Sequence, residues 1–288
     1  MGLLEHRAVV VTGAGRGLGR SFAIAAAREG AGVVVNDIDG DVAQAVVDEI
    51  RAAGGRAITA VASITEWDSA AEIIDACVAE FGSIDGLVNN AVAYGFGHPW
   101  AQDPDEIRRQ IEVNVIGALY CGAHAMRHMK EQRRGSIVNL TSNVMMGNVG
   151  MSTYGATKGA LACATFGWAL ELMPHNVRVN ALAPGAMTRG NELAGVFRRP
   201  NRAPDSPDLV APAAVFLLSD LSAGVTGQIV MLMGRRLGLI SHPRVLEPVI
   251  DDDDWSAESI AEAYERTFRP QFQAIGRAAA VYDWLPDT

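Results

Sequence analysis

The chain has 288 residues, of which 49% are hydrophobic and 20% are charged, and its formal net charge at pH 7 is −9. This acidic balance, in which the arginines are scattered and form no basic stripe, excludes a general binder of nucleic-acid phosphates. No apolar run is long enough to predict a membrane span, and the N-terminal segment does not have the pattern of a secretory signal. Three cysteines without CxxC spacing predict small side chains in a reducing compartment, so we expect a cytoplasmic protein.

Short apolar runs rich in β-branched residues alternate with longer alanine-rich stretches, which predicts alternating strands and helices. The predicted strands are 7–12, 31–36, 56–61, 85–89, 136–141, 176–182 and 228–233. The predicted helices are 17–29, 41–53, 66–82, 104–131, 152–173 and 208–220. Because the strands are continuous apolar runs, both faces of the sheet are predicted to be buried. The sequence therefore predicts an α/β fold with a doubly wound parallel sheet of seven strands.

The alternating pattern ends near residue 240, so residues 1–240 are predicted as a single domain and residues 241–288 as a C-terminal extension. The extension carries an acidic run at 251–254 and then a predicted helix over 256–268. Large apolar side chains recur there at a spacing of four, at Ile260, Tyr264, Phe268 and Phe272. Such a row predicts an apolar helix face that needs a partner. A lid over the substrate pocket and a brace for an oligomer are both open.

Three glycines, Gly13, Gly17 and Gly19, lie between the first predicted strand and the first predicted helix. Glycines let the backbone approach a pyrophosphate, and the start of a helix supplies amide donors. Asp37, at the end of the second strand, can accept hydrogen bonds from ribose hydroxyls and would repel a 2′-phosphate. Arg16 lies inside the glycine loop and could meet a 2′-phosphate, but we expect the carboxylate to decide in favour of NAD.

The stretch STYGATKGAL contains Tyr154 and, one helical turn later, Lys158. The chain has only two lysines, Lys130 and Lys158, so this spacing is informative. Residues four apart share a helix face, and an ammonium beside a phenol lowers the pKa of the phenol. The pair therefore predicts an acid/base centre in which the pKa of Tyr154 is lowered towards neutrality.

An ordered set of motifs, spread over about residues 5–235, resembles the short-chain dehydrogenase/reductase family. The motifs are TGAGRGLG at 12–19, NNA at 89–91, VNVIGA at 113–118, IVNLTS at 137–142, YGATK at 154–158 and NALAPGAMT at 180–188. The resemblance implies a Rossmann fold and an NAD-preferring oxidoreductase that interconverts a secondary alcohol and a ketone. Hydroxyacyl-CoA dehydrogenases are among the members that the chain resembles.

The resemblance also implies roles for individual residues. Tyr154 would be the acid/base, and Lys158 would bind the nicotinamide ribose and lower the pKa of Tyr154. Asn114 would hold a water of the proton relay. Ser142 would hold the substrate oxygen, although the family's commoner spacing to the tyrosine selects Thr141 instead. The implied cofactor-binding residues are Gly13, Arg16, Gly17, Leu18, Gly19, Asp37, Ser63, Ile64, Asn90, Ala91, Tyr154, Lys158, Pro184, Gly185 and Thr188.

Two positions depart from the family pattern. Val92 stands where the family usually has glycine, and a β-branched residue does not easily adopt a positive φ, so we expect a reshaped loop. Ser63 stands where the family often has aspartate, which leaves the implied adenine contact without a charge. His124 and His128 share a helix face, but no third ligand is evident, and we predict no metal site.

The substrate is the least defined part of the prediction. Aromatic and methionine side chains in the loops 92–100, 143–151 and 186–197 indicate a bulky apolar alcohol or ketone, or else residues packed on the protein itself. Arginines at 189–202 leave a coenzyme A thioester open. A non-catalytic nucleotide-binding module and a dehydratase or epimerase are the alternative functions. Helices apolar on more than one face predict a homodimer or homotetramer.

Overall fold

Seven parallel strands form the centre of the computed structural model, which describes residues 2–185 and 206–272. They are β1 (Ala8–Val11), β2 (Gly32–Asp37), β3 (Arg56–Val61), β4 (Gly86–Asn89), β5 (Gly135–Leu140), β6 (Val177–Gly185) and β7 (Ile229–Met233). Their order across the sheet is β3-β2-β1-β4-β5-β6-β7, and each pairs in parallel with its neighbours. The predicted doubly wound parallel sheet is thus confirmed.

The predicted strand count of seven is wrong, because an eighth strand, β8 (Arg236–Ile240), pairs antiparallel with β7. A short turn joins the two strands, and Gly234 in this turn has a φ of +59°. Glycine is favoured in such hairpin turns because it adopts positive φ without strain. The sequence RLGLI was missed because its edge position leaves Leu237 and Leu239 exposed, so it lacks the long apolar run of the buried strands.

Eight α-helices are described. They are α1 (Gly17–Arg28), α2 (Gly40–Ala52), α3 (Trp67–Phe81), α4 (Pro104–Ile111), α5 (Ala118–Gln132), α6 (Ser152–Leu172), α7 (Ala211–Leu218) and α8 (Ala257–Ala263). The single helix predicted over 104–131 is instead two α-helices joined by a π-helical segment, Glu112–Gly117. No helix in the described ranges is both long enough and apolar enough to cross a membrane.

The strand side chains divide between two apolar layers. Val9 and Val11 of β1 join a buried cluster with side chains of α1, α2 and α7, whereas Val10 joins a second cluster with side chains of α3 and α5. Side chains alternate between the two faces of a strand. A strand that is covered on both faces is therefore a continuous apolar run, without alternating polar residues. This arrangement leaves the carboxyl ends of the strands as the edge where loops can form a site.

The described part of the extension is organised mainly by local contacts. Helix α8 begins with a capping box, in which the side chains of Ser256 and Ser259 each accept a hydrogen bond from the backbone amide of the other residue. Beyond α8, the ring of Tyr264 packs against the rings of Phe268 and Phe272, with centroid distances of 5.4 and 6.0 Å. The predicted apolar row therefore exists, and Tyr264 is half exposed within it.

Candidate active site

The loop between β1 and α1 has a backbone that only glycine fits. Gly13 and Gly17 have φ values of +60° and +55°, which are costly for residues with a side chain. A Cβ atom at Gly19 would lie 2.3 Å from the carbonyl oxygen of Gly13 and 2.5 Å from Nδ2 of Asn90. No side chain caps the start of α1 within the described residues, so its first amides face outward as donors.

Two polar side chains fix the glycine loop to the end of β4, which lies beside β1 in the sheet. The Nδ2 atom of Asn90 donates to the carbonyl oxygens of Thr12 and Gly13, at 2.8 and 3.0 Å. The hydroxyl of Thr12 accepts from the backbone amides of Asn90 and Ala91, at 3.0 and 3.1 Å. Sequence reasoning selected Asn90 and Ala91 but missed Thr12, although its place directly before Gly13 was a usable signal. Leu18, also selected, is half-buried and packs on the core.

Asp37 lies at the end of β2 with its carboxylate towards the glycine loop. Its Oδ2 atom accepts from the backbone amide of Gly15 at 3.0 Å, and its Oδ1 atom accepts from the amide of Asp39 at 3.1 Å. A Cβ atom at Gly15 would lie 2.8 Å from Oδ2 of Asp37. Arg16 forms an ion pair with Asp39 at 3.0 Å, so its charge is already balanced by a neighbouring carboxylate.

The other predicted cofactor positions lie at the ends of further strands. The hydroxyl of Ser63 shares a hydrogen bond with that of Thr65 at 2.9 Å. Ile64 is buried against Gly117 of the π-helical segment, where a Cβ atom would lie 2.5 Å from the Cδ1 atom of Ile64. Pro184 and Gly185 are the last two residues of β6. Thr188, together with the arginines and apolar residues predicted over 186–202, lies outside the described residues.

Tyr154 and Lys158 share a face of α6, as the spacing predicts. The Nζ atom of Lys158 lies 5.7 Å from the centre of the Tyr154 ring and donates to the carbonyl oxygen of Leu140 at 2.7 Å. Burial lowers the pKa of Lys158 to about 7. Burial raises the pKa of Tyr154 well above its ordinary value, and interaction with Tyr94 raises it further. The expected lowering of the Tyr154 pKa is therefore wrong for this structure, in which desolvation by burial is the largest influence on the phenol.

Asn114 is fully buried in the π-helical segment and has protein partners for its side chain. Its Oδ1 atom accepts from the amide of Ala93 at 2.7 Å, and its Nδ2 atom donates to the carbonyl oxygen of Ala93 at 2.9 Å and to the hydroxyl of Thr157 at 3.1 Å. The hydroxyl of Thr157 in turn donates to the carbonyl oxygen of Tyr154 at 2.8 Å. Asn114 thus joins the loop after β4 to α6. Segments of π-helix are frequent at functional sites.

The two candidate hydroxyls after β5 have different environments. Thr141 is buried, and its hydroxyl donates to the carbonyl oxygen of Lys158 at 2.8 Å. Ser142 is half-buried, and its hydroxyl oxygen accepts from the amide of Val144 at 3.2 Å. The Thr141 proton is therefore committed to α6, whereas the hydroxyl proton of Ser142 has no acceptor among the described residues.

An apolar surface completes the site. Val144, Met151 and Tyr154 form a small buried cluster, and the half-buried side chains packed against it are Val92, Tyr94 and Phe96. Val92 does not have a positive φ, so its β-branched side chain is accommodated without backbone strain. Among the described residues, no group of three or more His, Cys, Asp or Glu side chains could hold a metal ion.

Comparison with known proteins identifies the family. The family model for short chain dehydrogenase matches residues 7–194. A short chain dehydrogenase from Mycobacterium avium has a TM-score of 0.83 and 33% sequence identity, over 93% of this chain and 96% of that chain. A 7α-hydroxysteroid dehydrogenase in complex with NADH and 7-oxo glycochenodeoxycholic acid has a TM-score of 0.73 and 33% identity, over 81% of this chain and 94% of that chain.

A third structure extends the range of bound molecules. A gluconate 5-dehydrogenase from Burkholderia cenocepacia, in complex with NADP and tartrate, has a TM-score of 0.74 and 30% identity, over 80% of this chain and 95% of that chain. These similar proteins thus contain NADH in one case and NADP in the other. The family match covers more than half of the chain and includes both the glycine loop and the Tyr154–Lys158 pair. The protein is therefore an oxidoreductase that belongs to the short-chain dehydrogenase/reductase family.

Proposed function

We propose that this protein interconverts a secondary alcohol and a ketone, with Tyr154 as the group that takes or gives the hydroxyl proton. The observation that carries the proposal is the buried Lys158, which lies one turn from Tyr154 on α6 and has a carbonyl oxygen as its protein acceptor. A buried ammonium is costly and is retained where it acts on a neighbouring group. A purely nucleotide-binding module would need no such pair.

The geometry supports Ser142 rather than Thr141 as the residue that holds the substrate oxygen. The hydroxyl of Thr141 is directed to the backbone of α6, and Ser142 has a donor to spare. Tyr154 would exchange the proton with the substrate hydroxyl, and Lys158 would favour the ionised form of the phenol once the substrate is in place. Asn114 would keep the loop after β4 and the catalytic helix in register.

The glycine loop fits a nicotinamide dinucleotide on its own geometry. The positive φ angles, the outward amides of α1 and the carboxylate of Asp37 at the end of β2 match a pyrophosphate followed by a ribose diol. When bound, the nicotinamide supplies the hydride acceptor or donor of the reaction. Asp37 would accept from the ribose hydroxyls, and Lys158 can donate to the second ribose from its compact ammonium.

We propose that NAD is preferred to NADP. The carboxylate of Asp37 would repel a 2′-phosphate, and Arg16, which could offset that repulsion, is paired with Asp39. We expect kcat/KM to favour NAD by at least about tenfold, which corresponds to about 1.4 kcal/mol. Replacement Asp37→Ala should narrow this ratio in steady-state assays with both cofactors. Equal use of the two cofactors by the unmodified protein would refute the argument.

The substrate is proposed to be apolar and bulky on the side that meets Val92, Tyr94 and Phe96, because these side chains cover the approach to Tyr154. The steroid bound to one similar structure is consistent with such a wall. A hydroxyacyl thioester remains the second candidate. A panel of secondary alcohols, including sterols and hydroxyacyl thioesters, assayed for NADH formation would select between them.

The decisive experiment is replacement Tyr154→Phe, which removes the transferable proton and barely changes the side-chain volume. Turnover should fall by about a hundredfold or more, while NADH binding, measured by fluorescence titration, should be retained. Ser142→Ala should cost more turnover than Thr141→Ala. Turnover that survives in Tyr154→Phe would defeat the mechanism. Product without stoichiometric NADH would point to a dehydratase or epimerase.

A further inference from the structure

In the loop after β4, residues anchored to other segments alternate with residues whose side chains pack on the Tyr154 cluster. Ala93 is clamped by Asn114 through two hydrogen bonds, and the amide of Gly97 donates to the carbonyl oxygen of Gly150 at 2.9 Å. Between them, Gly95 is buried against Gln110, where a Cβ atom would lie 2.0 Å from the Nε2 atom. The side chains that alternate with these anchors pack on the Tyr154 cluster; they are Val92, Tyr94 and Phe96.

Tyr94 makes the most specific of these contacts. Its ring stacks on the ring of Tyr154 with a centroid distance of 5.2 Å and an interplanar angle of 25°. It also stacks on Phe96, with a centroid distance of 6.1 Å and an interplanar angle of 6°. Such offset stacking is a favourable arrangement for aromatic rings, and each pair adds about 0.5–1.5 kcal/mol beyond the area it buries. The acid/base ring is therefore one member of an ordered row of three rings.

We propose that Tyr94 is a positioning residue for Tyr154: its ring holds the Tyr154 ring in one orientation. This inference rests on the proposed function, in which Tyr154 exchanges the substrate proton. The rigid anchoring of residues 93, 95 and 97 is what allows a half-buried loop residue to fix a catalytic ring.

The charged and titratable groups around Tyr154 support this assignment. Among the described residues, the cluster around Tyr154 is formed by the loop 92–96, the loop 143–151 and α6 itself. The first contributes Tyr94, the second carries no titratable side chain, and α6 contributes Lys158. After burial, Tyr94 is the neighbour that raises the pKa of Tyr154. Tyr94 thus opposes the ionisation that Lys158 promotes.

The consequence is a measurable effect on the pH dependence of the reaction. A higher pKa of Tyr154 keeps it protonated, and therefore able to reduce a ketone, up to a higher pH. Alcohol oxidation needs the ionised phenol and begins at correspondingly higher pH. Removal of the Tyr94 hydroxyl should move both profiles to lower pH together, whereas a purely structural role would leave both midpoints in place.

The test compares Tyr94→Phe, Tyr94→Leu and the unmodified protein, with Tyr120→Phe as the matched control. Tyr120 packs edge-on against Trp67, in a different cluster from the site. We expect Tyr94→Phe to keep the stack and to lower the midpoint of the kcat/KM profile by at least about 0.5 pH unit. Tyr94→Leu, which loses the ring, should also lower kcat by about tenfold while the Kd for NADH is unchanged. Tyr120→Phe should behave as the unmodified protein.

Two outcomes would overturn the inference. One is a pH profile of Tyr94→Phe that coincides with that of the unmodified protein. The other is a Tyr94→Leu protein that loses thermal stability alone, with kcat intact. Tyr154→Phe is assayed in parallel: if it remains active, the proposed function fails, and if it is inactive while Tyr94→Phe shows no shift, only the role of Tyr94 fails.

Discussion

The proposed nucleotide-binding region and the proposed catalytic region lie at the same edge of the sheet but are made of different groups. The first region comprises residues 12–19 with Asp37 and Asn90. Its backbone geometry requires glycine, because a side chain there would clash with neighbouring atoms or strain the loop. The second is made of buried side chains, above all Lys158 and Tyr154. At one edge of the sheet, the first region therefore depends on the shape of its backbone, and the second depends on the removal of its titratable side chains from water.

The two regions also treat charge differently. Beside the glycine loop, the exposed charges of Arg16 and Asp39 are already paired with each other at 3.0 Å. Such exposed pairs contribute about 0–1 kcal/mol to stability. In the catalytic region, the only close partner of the Lys158 ammonium among the described residues is a carbonyl oxygen, and burial lowers the pKa of Lys158 to about 7. Substitutions should therefore act on cofactor binding through shape in one region and on proton equilibria in the other.

The largest effect is expected for Gly19→Ala in the nucleotide-binding region. Its new Cβ atom would lie 2.3 Å from a backbone oxygen, so the loop would have to move. We expect the Kd for NADH to rise by about a hundredfold or more, on the order of 3 kcal/mol. Gly224→Ala is the matched control, because a Cβ atom there meets nothing within 4 Å. If both variants bind NADH equally, the loop is not defined by shape.

A smaller effect, specific to the catalytic region, is expected in the pH dependence of stability. In the unfolded chain the pKa of Lys158 is about 10.5, and in the folded protein it is about 7. Between these values the unfolded state binds the proton and the folded state does not, so the free energy of unfolding rises with pH. Burial raises the pKa values of Cys77 and Cys121 from 9.0 to about 12, and these thiols act in the opposite direction above pH 9. The raised pKa of Tyr154 does the same above pH 10. The useful window is therefore pH 7 to 9.

Urea unfolding at four pH values in this window would measure the effect. The contribution of Lys158 should approach about 1 kcal/mol per pH unit, and it should disappear in Lys158→Met. Lys130→Met is a close control, since Lys130 is the only other lysine of the chain and is exposed. Parallel slopes in the unmodified protein and Lys158→Met would show that Lys158 is solvated, contrary to the burial seen here.

The contrast between the regions also explains which features the sequence predicted. The sequence predicted Gly13, Gly17 and Gly19 because the backbone of this loop requires glycine. It predicted Asp37 because this residue ends the second strand. The Tyr154–Lys158 pair was found from helical spacing, but the direction of the Tyr154 pKa shift was not. That direction depends on how deeply the ring is buried and on Tyr94, and neither is a local property of the helix.

Other features escaped prediction for similar reasons. The hydroxyl of Thr12 accepts from backbone amides of a distant segment, and that of Thr157 accepts from the distant side chain of Asn114. A threonine that makes such bonds looks like any other in the sequence. The π-helical segment around Asn114 has the same composition as an ordinary helix. Strand β8 lies at an edge and is half exposed, so it lacks the apolar run that identified the buried strands.

The smallest effect on substrate kinetics is expected when residues 241–288 are removed. This truncation tests whether the extension contributes to either of the two regions. The extension begins beside the second half of α6, where the ring of His242 lies 4.3 Å from that of Phe166. Its exposed row, with Tyr264 and Phe272, needs a cover such as the substrate loops or a second copy of the chain. The Mycobacterium avium structure, which covers 93% of this chain, would serve as the template for the truncation.

If the extension is a lid, the truncated protein should show a KM for the alcohol that is raised by about threefold, with the Kd for NADH unchanged. The effect should be modest because the truncation ends after β8 and leaves the sheet intact. Light scattering should show at least a dimer for the full chain, since helices such as α6 expose apolar side chains, with Leu170 70% exposed. Unchanged substrate kinetics with a smaller oligomer or a lower Tm would contradict the lid and identify the extension as a brace between subunits.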